Sequence, residues 1–390
     1  MEKREKGLTI IIPCLNEEKT IEYCVTQGLG ALAKYKIPGE VLVVDNGSVD
    51  RSAEIAEKAG ARVIKETEKG YGSAYYSGIR HAKFDHCLKA DADGSYDFYE
   101  INLFWDKLQE GKWDIILGSR FKGKIMPGAM PFSHKYFGTP ALTMLINLIY
   151  KSKLSDINSG MRAYRTQTML DLNLKCKGME FASEMLVKAL KKGLKILEVP
   201  ITLHKDRREG RPHLRSFRDG WRHLRFIMLM SPLQLFFYPG MISIILGILL
   251  SGLFLLKDIL AESHPITLGP IFGITTFACL QNLIILGEAL VVFAYIAKLR
   301  LIQASIDVPN MFIEKLRKTM TLDRLLLGSI VGIGLTIIGS GSIGWNLYLN
   351  YINGYFTPFY TKLGIFNFTV FIYFAMMFFA SFFISGIEIE

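Results

Sequence analysis

The chain has 390 residues, half of them hydrophobic, and a formal net charge of +10 at pH 7. The excess positive charge lies in the first 230 residues, because residues 231–390 carry 8 basic and 8 acidic side chains. The five cysteines show no CxxC spacing, so neither a zinc site nor a disulfide framework is indicated, and a reduced cytoplasmic setting fits. The first six residues are largely charged and precede only a strand-sized apolar run, so no signal peptide is expected.

Short apolar runs alternate with helix-like stretches through the first 120 residues. Strands are predicted at 8–12, 41–44, 61–64, 86–90 and 115–117, and helices at 17–33, 52–59, 72–82, 139–150 and 180–192. Such alternation indicates an α/β fold with a mostly parallel sheet and helices on both faces. The GxGxxG fingerprint of dinucleotide-binding folds is absent from the first strand-to-helix turn.

Two acidic turns follow predicted strands in this region. Asp45 ends one strand, and Asp91-Ala92-Asp93 ends another. Ligands of open α/β sheets bind outside the carboxyl ends of the strands, and paired carboxylates supply the oxygen ligands that Mg²⁺ or Mn²⁺ prefer. The two turns together suggest a nucleotide-diphosphate site, with a solvated aspartate turn as the alternative for the triplet alone.

A basic stretch from Lys205 to Arg225 precedes the strongly apolar part of the chain. Arg215, Arg218, Arg222 and Arg225 recur at helical spacing and predict a basic amphipathic helix over residues 211–231. Such a helix beside a membrane segment attracts anionic lipids. The alternatives are a solvated basic helix, or arginines that hold a specific phosphate.

Four long apolar runs, at about 233–256, 271–297, 325–347 and 363–384, predict a membrane domain over residues 232–390. Each run exceeds the roughly 20 residues that a helix needs to cross a bilayer. Basic residues concentrate in the loop at 298–324, so residues 1–210, this loop and the C-terminus are expected on the cytoplasmic side of the cell membrane.

Six short motifs, in order along residues 8–230, resemble the inverting glycosyltransferases of family 2 with a GT-A fold. They are similar to the polyprenyl-phosphate sugar transferases of the dolichyl-phosphate mannose and glucose synthase type. The motifs are Pro13-Cys14-Leu15-Asn16-Glu17-Glu18, Val44-Asp45-Asn46-Gly47-Ser48-Val49-Asp50, Lys69-Gly70-Tyr71-Gly72, Asp91-Ala92-Asp93, Gly118-Ser119-Arg120-Phe121 and Asp156-Ile157-Asn158-Ser159-Gly160-Met161-Arg162.

The resemblance implies a role for each matching residue. The residues that would bind the nucleotide sugar are Pro13, Asn16, Glu17, Asp45, Lys69, Gly70 and Asp91. The metal ligands would be Asp91, Asp93 and Ser95, and the catalytic carboxylates Asp156 and Asp93. The acceptor phosphate would meet Arg120, His134, Arg207 and Arg211.

Two departures from the family pattern affect these assignments. Asn46 stands where many members carry a second aspartate. The usual basic motif near the acceptor, an arginine followed by Gly and Ser-Lys, is replaced by residues 207–213, which leaves open which side chain binds the lipid phosphate.

The predicted reaction moves one sugar from a nucleotide-diphosphate sugar to a polyprenyl phosphate, dolichyl or undecaprenyl, with inversion and with Mg²⁺ or Mn²⁺. The donor could be UDP-glucose, GDP-mannose or UDP-N-acetylglucosamine; no nucleic-acid partner is expected, and self-association is left open. One alternative is a processive polysaccharide synthase, although its Gln-x-x-Arg-Trp segment is absent. The other is a lipid-linked sugar transporter with a binding-only soluble domain, for which Gln281, Asn282 and Glu288 are candidates unless they serve helix packing.

Overall fold

The computed structural model describes residues 4–208, 216–261, 273–304, 307, 311–319, 321–353 and 358–389. The chain divides into two compact units, Met1–Met230 and Ser231–Glu390. Arg211 and Arg215 of the predicted basic helix lie outside the described residues.

The first unit is built on one seven-stranded sheet in the order β3-β2-β1-β4-β6-β5-β7. The strands are β1 Glu5–Cys14, β2 Gly39–Asp45, β3 Arg62–Lys65, β4 Phe84–Lys89, β5 Ile115–Ile125, β6 Arg162–Arg165 and β7 Ile196–Leu203. Four neighbouring pairs are parallel, and only β6 runs antiparallel to both of its neighbours. The predicted mostly parallel sheet is confirmed.

Helices cover both faces of this sheet. They are α1 Ile21–Lys34, α2 Ser52–Lys58, α3 Tyr71–His81, α4 Ile101–Gln109, α5 Thr139–Tyr150, α6 Thr166–Asp171, α7 Phe181–Lys191 and α8 Ser216–Leu229. Ile10 and Ile12 of β1 pack into one core cluster with Val25 of α1, whereas Ile11 packs into the other with Tyr75 of α3. Because alternate residues of β1 are buried on opposite faces, the strand is a continuous apolar run.

Some elements differ from the sequence prediction or were missed by it. Helix α1 begins at Ile21 rather than at residue 17, because Asn16 has a left-handed backbone with φ 57° and the Glu17 amide donates to Ser52. Strand β6 was not predicted because its sequence, Arg-Ala-Tyr-Arg, is too short and polar to show a strand period. Strand β7 and helices α4 and α6 were also missed.

The second unit contains α9 Tyr238–Ala261, α10 Ile274–Gln303, α11 Met311–Thr319, α12 Leu322–Ile352 and α13 Pro358–Ile389. Four segments are long and apolar enough to cross a membrane, at Leu233–Ile259, Ile274–Gln303, Leu322–Ile352 and Phe359–Gly386, as predicted. Gly240 of α9 and Gly287 of α10 allow the two backbones to approach closely, since a Cβ at either would collide with the other's carbonyl. Gln281 donates to Ser251 across the same pair of helices at 2.6 Å.

Candidate active site

The carboxyl ends of β1, β2 and β4 meet at one edge of the sheet and open into a cavity of about 560 Å³. Six residues predicted for the site line it, namely Pro13, Glu17, Lys69, Gly70, Asp91 and Asp93. Arg208, which belongs to the basic loop expected to bind the acceptor phosphate, also lines it. The other lining residues are Cys14, Leu15, Asn46, Tyr71, Ala74, Ala92, Gly178, Met179, Asp206, Arg218 and Arg222. Asn16, Asp45, Ser95, Arg120, His134, Asp156 and Arg207 do not belong to this lining.

Asn46 orders the Lys69–Gly70 edge of the cavity. Its amide nitrogen donates to the carbonyls of Glu66 and Glu68 at 3.1 and 2.8 Å, and its amide oxygen accepts from the Gly70 amide at 2.7 Å. An ionised aspartate could not donate the first two bonds. These hydrogen bonds therefore explain why the chain has asparagine at this position. Gly70 has φ 142°, and a Cβ there would collide with the Lys177 carbonyl.

Asn16 and Asp45 lie in two adjoining turns beside the cavity. The Asn16 amide donates to Ser48 at 3.0 Å, and the Asn16 side chain accepts from the Val49 amide at 2.9 Å. Asp45 is nearly buried and accepts from the Ser48 amide at 3.0 Å. The two predicted nucleotide-binding turns therefore hold each other in place.

The Asp91 carboxylate accepts hydrogen bonds from a short chain of buried polar side chains. The hydroxyls of Tyr71 and Tyr75 donate to one oxygen of Asp91 at 2.9 and 3.1 Å, and Lys89 donates to the Tyr71 hydroxyl at 2.9 Å. Burial lowers the pKa of Lys89 to about 7, and the nearby Arg162 acts in the same direction. Lys89 was not predicted as a site residue, and the one local signal for it is a cation at the end of a strand, two residues before Asp91-Ala92-Asp93.

Asp93 is nearly enclosed and close to both acidic and basic groups. Burial raises the pKa of its carboxyl to about 6, Asp91 adds to the rise, and Arg208 opposes it. One Asp93 oxygen accepts from the Ser95 amide at 2.9 Å, and the other lies 3.8 Å from the Arg208 guanidinium. Ser95 thus contacts Asp93 through its backbone.

Arg208 lies in the cavity between Glu17 and Asp93. Its guanidinium contacts Glu17 at 2.5 Å and Asp206 at 3.5 Å, in addition to Asp93. Its neighbour Arg207, which was also assigned to the acceptor phosphate, stacks over the Tyr23 ring at 3.8 Å. The two adjacent arginines therefore have different surroundings, since Arg208 lines the cavity and Arg207 does not.

The predicted amphipathic helix is present as α8, over Ser216–Leu229. Arg218 and Arg222 contribute to the cavity lining, and Arg225 does not; Arg218 and Arg225 are both exposed. The sequence pattern predicted their common helical face and left open whether a phosphate or lipid would lie against it.

Asp156 is fully buried and forms a bidentate ion pair with Arg120. The two guanidinium bonds measure 2.6 and 2.7 Å, and the Arg120 amide also donates to Asp156 at 3.1 Å. Glu198 of β7 accepts from the Ser155 and Asp156 amides at 2.7 and 3.1 Å and fixes the turn. Arg162 binds backbone carbonyls, including that of Ile157, and not Asp156.

His134 is close enough to Arg120 for the arginine's charge to affect the imidazole pKa. Burial lowers the pKa of the His134 imidazole, and the positive charge of Arg120 lowers it further. His134 is therefore held toward its neutral form.

The carboxylates of Asp91 and Asp93 fit a divalent cation. Within the described ranges, no cluster of three or more His, Cys, Asp or Glu side chains could hold a metal by itself. Burial raises the pKa of Asp93, and the nearby Asp91 carboxylate raises it further, so a cation between the two would favour the charged form of Asp93. A hard cation bound here would need further oxygens from a ligand or water.

Comparison with known proteins identifies the relatives of this chain. Residues 9–170 match the family model "Glycosyl transferase family 2". The Haloferax volcanii protein "Low-salt glycan biosynthesis hexosyltransferase Agl6" is 42% identical over 62% of this chain, and the match spans 58% of that relative's length.

Two further Haloferax volcanii proteins match with greater coverage of their own length. "Glycosyltransferase AglJ" is 32% identical over 55% of this chain and 68% of the relative. "Dolichyl-phosphate hexose transferase" is 30% identical over 55% of this chain and 89% of the relative.

Proposed function

Because this chain belongs to glycosyl transferase family 2, we propose that it transfers one hexose from a nucleotide-diphosphate sugar to a polyprenyl phosphate with inversion. The observation that carries the proposal is a single cavity lined both by Asp91 and Asp93 and by the arginines Arg208, Arg218 and Arg222. Such a cavity suits two phosphorylated substrates and a cation. The name of the dolichyl-phosphate relative supports the class of acceptor.

The donor would bind along the carboxyl ends of β1, β2 and β4. Pro13, Asn16 and Asp45 would lie near the nucleoside, with Lys69 and Gly70 beside the diphosphate. Asp91, Asp93 and Ser95 are the proposed metal-binding residues, and bound Mg²⁺ or Mn²⁺ would stabilise the charge that develops on the leaving diphosphate.

The acceptor needs positioning more than deprotonation, since a lipid monophosphate is already anionic near neutral pH. Arg120 and His134 are proposed to hold this phosphate in line with the anomeric carbon. Asp156 uses both oxygens on Arg120, so we assign it the orientation of that guanidinium. Arg207, Arg208 and Arg211 remain candidates from the basic stretch, and Arg208 is favoured over Arg207 because it lines the cavity.

We further propose a multi-pass protein of the cell membrane. The four membrane-length helices provide the anchor. The excess of basic residues between the second and third of them favours a cytoplasmic position for that loop, the catalytic unit and the C-terminus. Arg225 and Trp221 are exposed on α8 and suit contact with anionic lipids.

Gln281 is one of the residues on which the transporter alternative depends. Gln281 donates to Ser251 on the adjacent helix, which is the helix-packing role that such a residue would have without transport.

The test uses purified full-length protein, polyprenyl phosphate and a panel of labelled nucleotide sugars, with products identified by mass spectrometry. We expect one hexose per lipid phosphate from a preferred donor, in a reaction that Asp93→Asn abolishes. Asp97→Asn is a matched control, because Asp97 follows the same strand but caps a turn outside the cavity lining. Hydrolysis without transfer to lipid, or a long polymer, would overturn the proposal.

A further inference from the structure

Glu198 of β7 is a buried carboxylate beside the turn that carries Asp156. Its side chain is only 2% exposed, and it does not line the cavity. Glu198 pairs with Leu117 in the parallel register of β5 and β7, two positions before Ser119. Because an almost fully enclosed carboxylate needs hydrogen-bond donors, the partners of Glu198 indicate what it does.

Both oxygens of Glu198 accept hydrogen bonds from this turn. One oxygen accepts from the backbone amides of Ser155 and Asp156, at 2.7 and 3.1 Å. The other accepts from the Ser155 hydroxyl at 3.0 Å and lies 2.8 Å from the Lys122 ammonium. The Ser155 hydroxyl also lies 2.6 Å from the hydroxyl of Ser119 on β5. The turn is therefore attached to β7 through the carboxylate and to β5 through the serine pair.

Arg120 lies where the pairing of β5 with β7 is irregular. The register of these two strands shifts between Ser119 and Lys124. The Arg120 amide donates to the Asp156 carboxylate, and the guanidinium binds the same carboxylate at 2.6 and 2.7 Å. The position of Arg120 thus depends on Asp156, and the position of Asp156 depends on the amide bonds to Glu198.

The ion pair with Lys122 is the competing explanation for Glu198. The Lys122 side chain is 49% exposed, so water screens its charge, and pairs of this kind contribute little to stability. The amide donors belong to a turn in which Asp156 is completely buried, and a buried amide that loses its acceptor is costly. The amide bonds are therefore the contacts for which this carboxyl group matters most.

We propose that Glu198 is a positioning residue for the acceptor phosphate and that it acts through Asp156 and then Arg120. Glu198 touches neither substrate. It supplies one oxygen atom that fixes two consecutive amides and thereby the direction of the Asp156 carboxylate. The inference rests on the acceptor role proposed above for Arg120.

Two reciprocal substitutions at position 198 separate this role from charge pairing. Glu198→Gln loses the charge but keeps an oxygen for both amides, and its NH2 group can donate to the Ser155 hydroxyl. Glu198→Asp keeps the charge but is one methylene shorter, so its oxygens withdraw from the amides. Lys122→Met removes the ion pair alone and is the matched control.

The measurements on the full-length protein are initial rates against lipid phosphate, donor binding by calorimetry, and hydrogen exchange of the peptide that contains Ser155 and Asp156. Glu198→Asp should lower kcat/KM for the lipid phosphate by about tenfold or more, because a small displacement of Arg120 spoils its alignment. Its dissociation constant for the nucleotide sugar should stay near the native value, and the two amides should exchange faster. Glu198→Gln and Lys122→Met should retain most of the acceptor kcat/KM and the native exchange.

The proposal is overturned if Glu198→Asp leaves both acceptor kcat/KM and amide exchange unchanged. It is also overturned if Glu198→Gln or Lys122→Met loses as much acceptor use as Glu198→Asp, because the charge of the pair is then what matters. An equal loss of donor affinity in Glu198→Asp contradicts it as well and indicates general damage to the unit. If the native protein transfers no hexose to lipid, the proposed function fails, whereas the exchange rates of the variants still decide whether Glu198 orders the turn.

Discussion

Replacing Asp156 by asparagine should weaken both folding and acceptor use, because the carboxylate holds Arg120. The pair is bidentate, with Asp156 completely buried and the Arg120 side chain 11% exposed. Removing one partner of a buried pair leaves the other charge uncompensated, at a cost of about 3–5 kcal/mol. For a unit of this size the melting temperature should fall by roughly 6–20 °C.

The kinetic consequence separates a positioning role from a purely structural one. With Arg120 misplaced, kcat/KM for the lipid phosphate should fall by about tenfold or more, which corresponds to 1.4 kcal/mol per factor of ten. The dissociation constant of the nucleotide sugar should change little, since Asp156 does not line the donor cavity. The assay measures initial rates against each substrate and donor binding by calorimetry.

A double variant, Asp156→Asn with Arg120→Gln, completes the test. It removes both charges, so most of the lost thermal stability should return while acceptor kcat/KM stays low. The reasoning would be refuted if Asp156→Asn left the melting temperature unchanged, or if donor affinity fell as much as acceptor use.

Four further outcomes follow from the cavity. Asp93→Asn, or excess chelator with the native protein, should remove most transfer activity without lowering the melting temperature; full rates in chelator would exclude a metal-dependent mechanism. Asn46→Asp should raise the donor KM by up to about thirtyfold, since two hydrogen bonds of about 1 kcal/mol each are lost, and an unchanged donor KM in rate measurements would contradict this. Tyr71→Phe should weaken Mn²⁺ binding several-fold by paramagnetic resonance, whereas an equal effect of Tyr76→Phe would argue against a specific role. Arg208→Ala should raise the KM for lipid phosphate more than Arg207→Ala does, and the reverse order would assign the phosphate to Arg207.

The sequence predicted the elements whose apolar residues form a clear pattern along the chain. Buried parallel strands such as β1 are continuous apolar runs, and four membrane-length helices are visible from length alone. The carboxyl-end rule then located Asp91 and Asp93 at the cavity, as the structure has them. Family motifs added Lys69 and Gly70.

Other features depend on tertiary contacts that no local pattern contains. Arg208 contacts Glu17 whereas Arg207 stacks on Tyr23, and only the folded chain shows which of these two adjacent arginines faces the cavity. The function of Lys89 depends on Tyr71, which lies 18 positions away along the chain. Helix α5 was predicted, but its apolar outer face could not be distinguished from a core face until its packing was known.

Residues 126–161 form an insertion between the neighbouring antiparallel strands β5 and β6. The chain leaves at the end of β5 and returns along β6, its immediate neighbour, and the Gly118 amide donates to the Met161 carbonyl at 3.0 Å across the base of the loop. The donor-facing strands β1, β2 and β4 lie outside this stretch, although Gly160 near its C-terminal end packs against the Asp91 carboxylate. We therefore expect it to behave as an exchangeable module: grafting the corresponding segment from a relative should transfer acceptor preference while the nucleotide specificity of the host is retained.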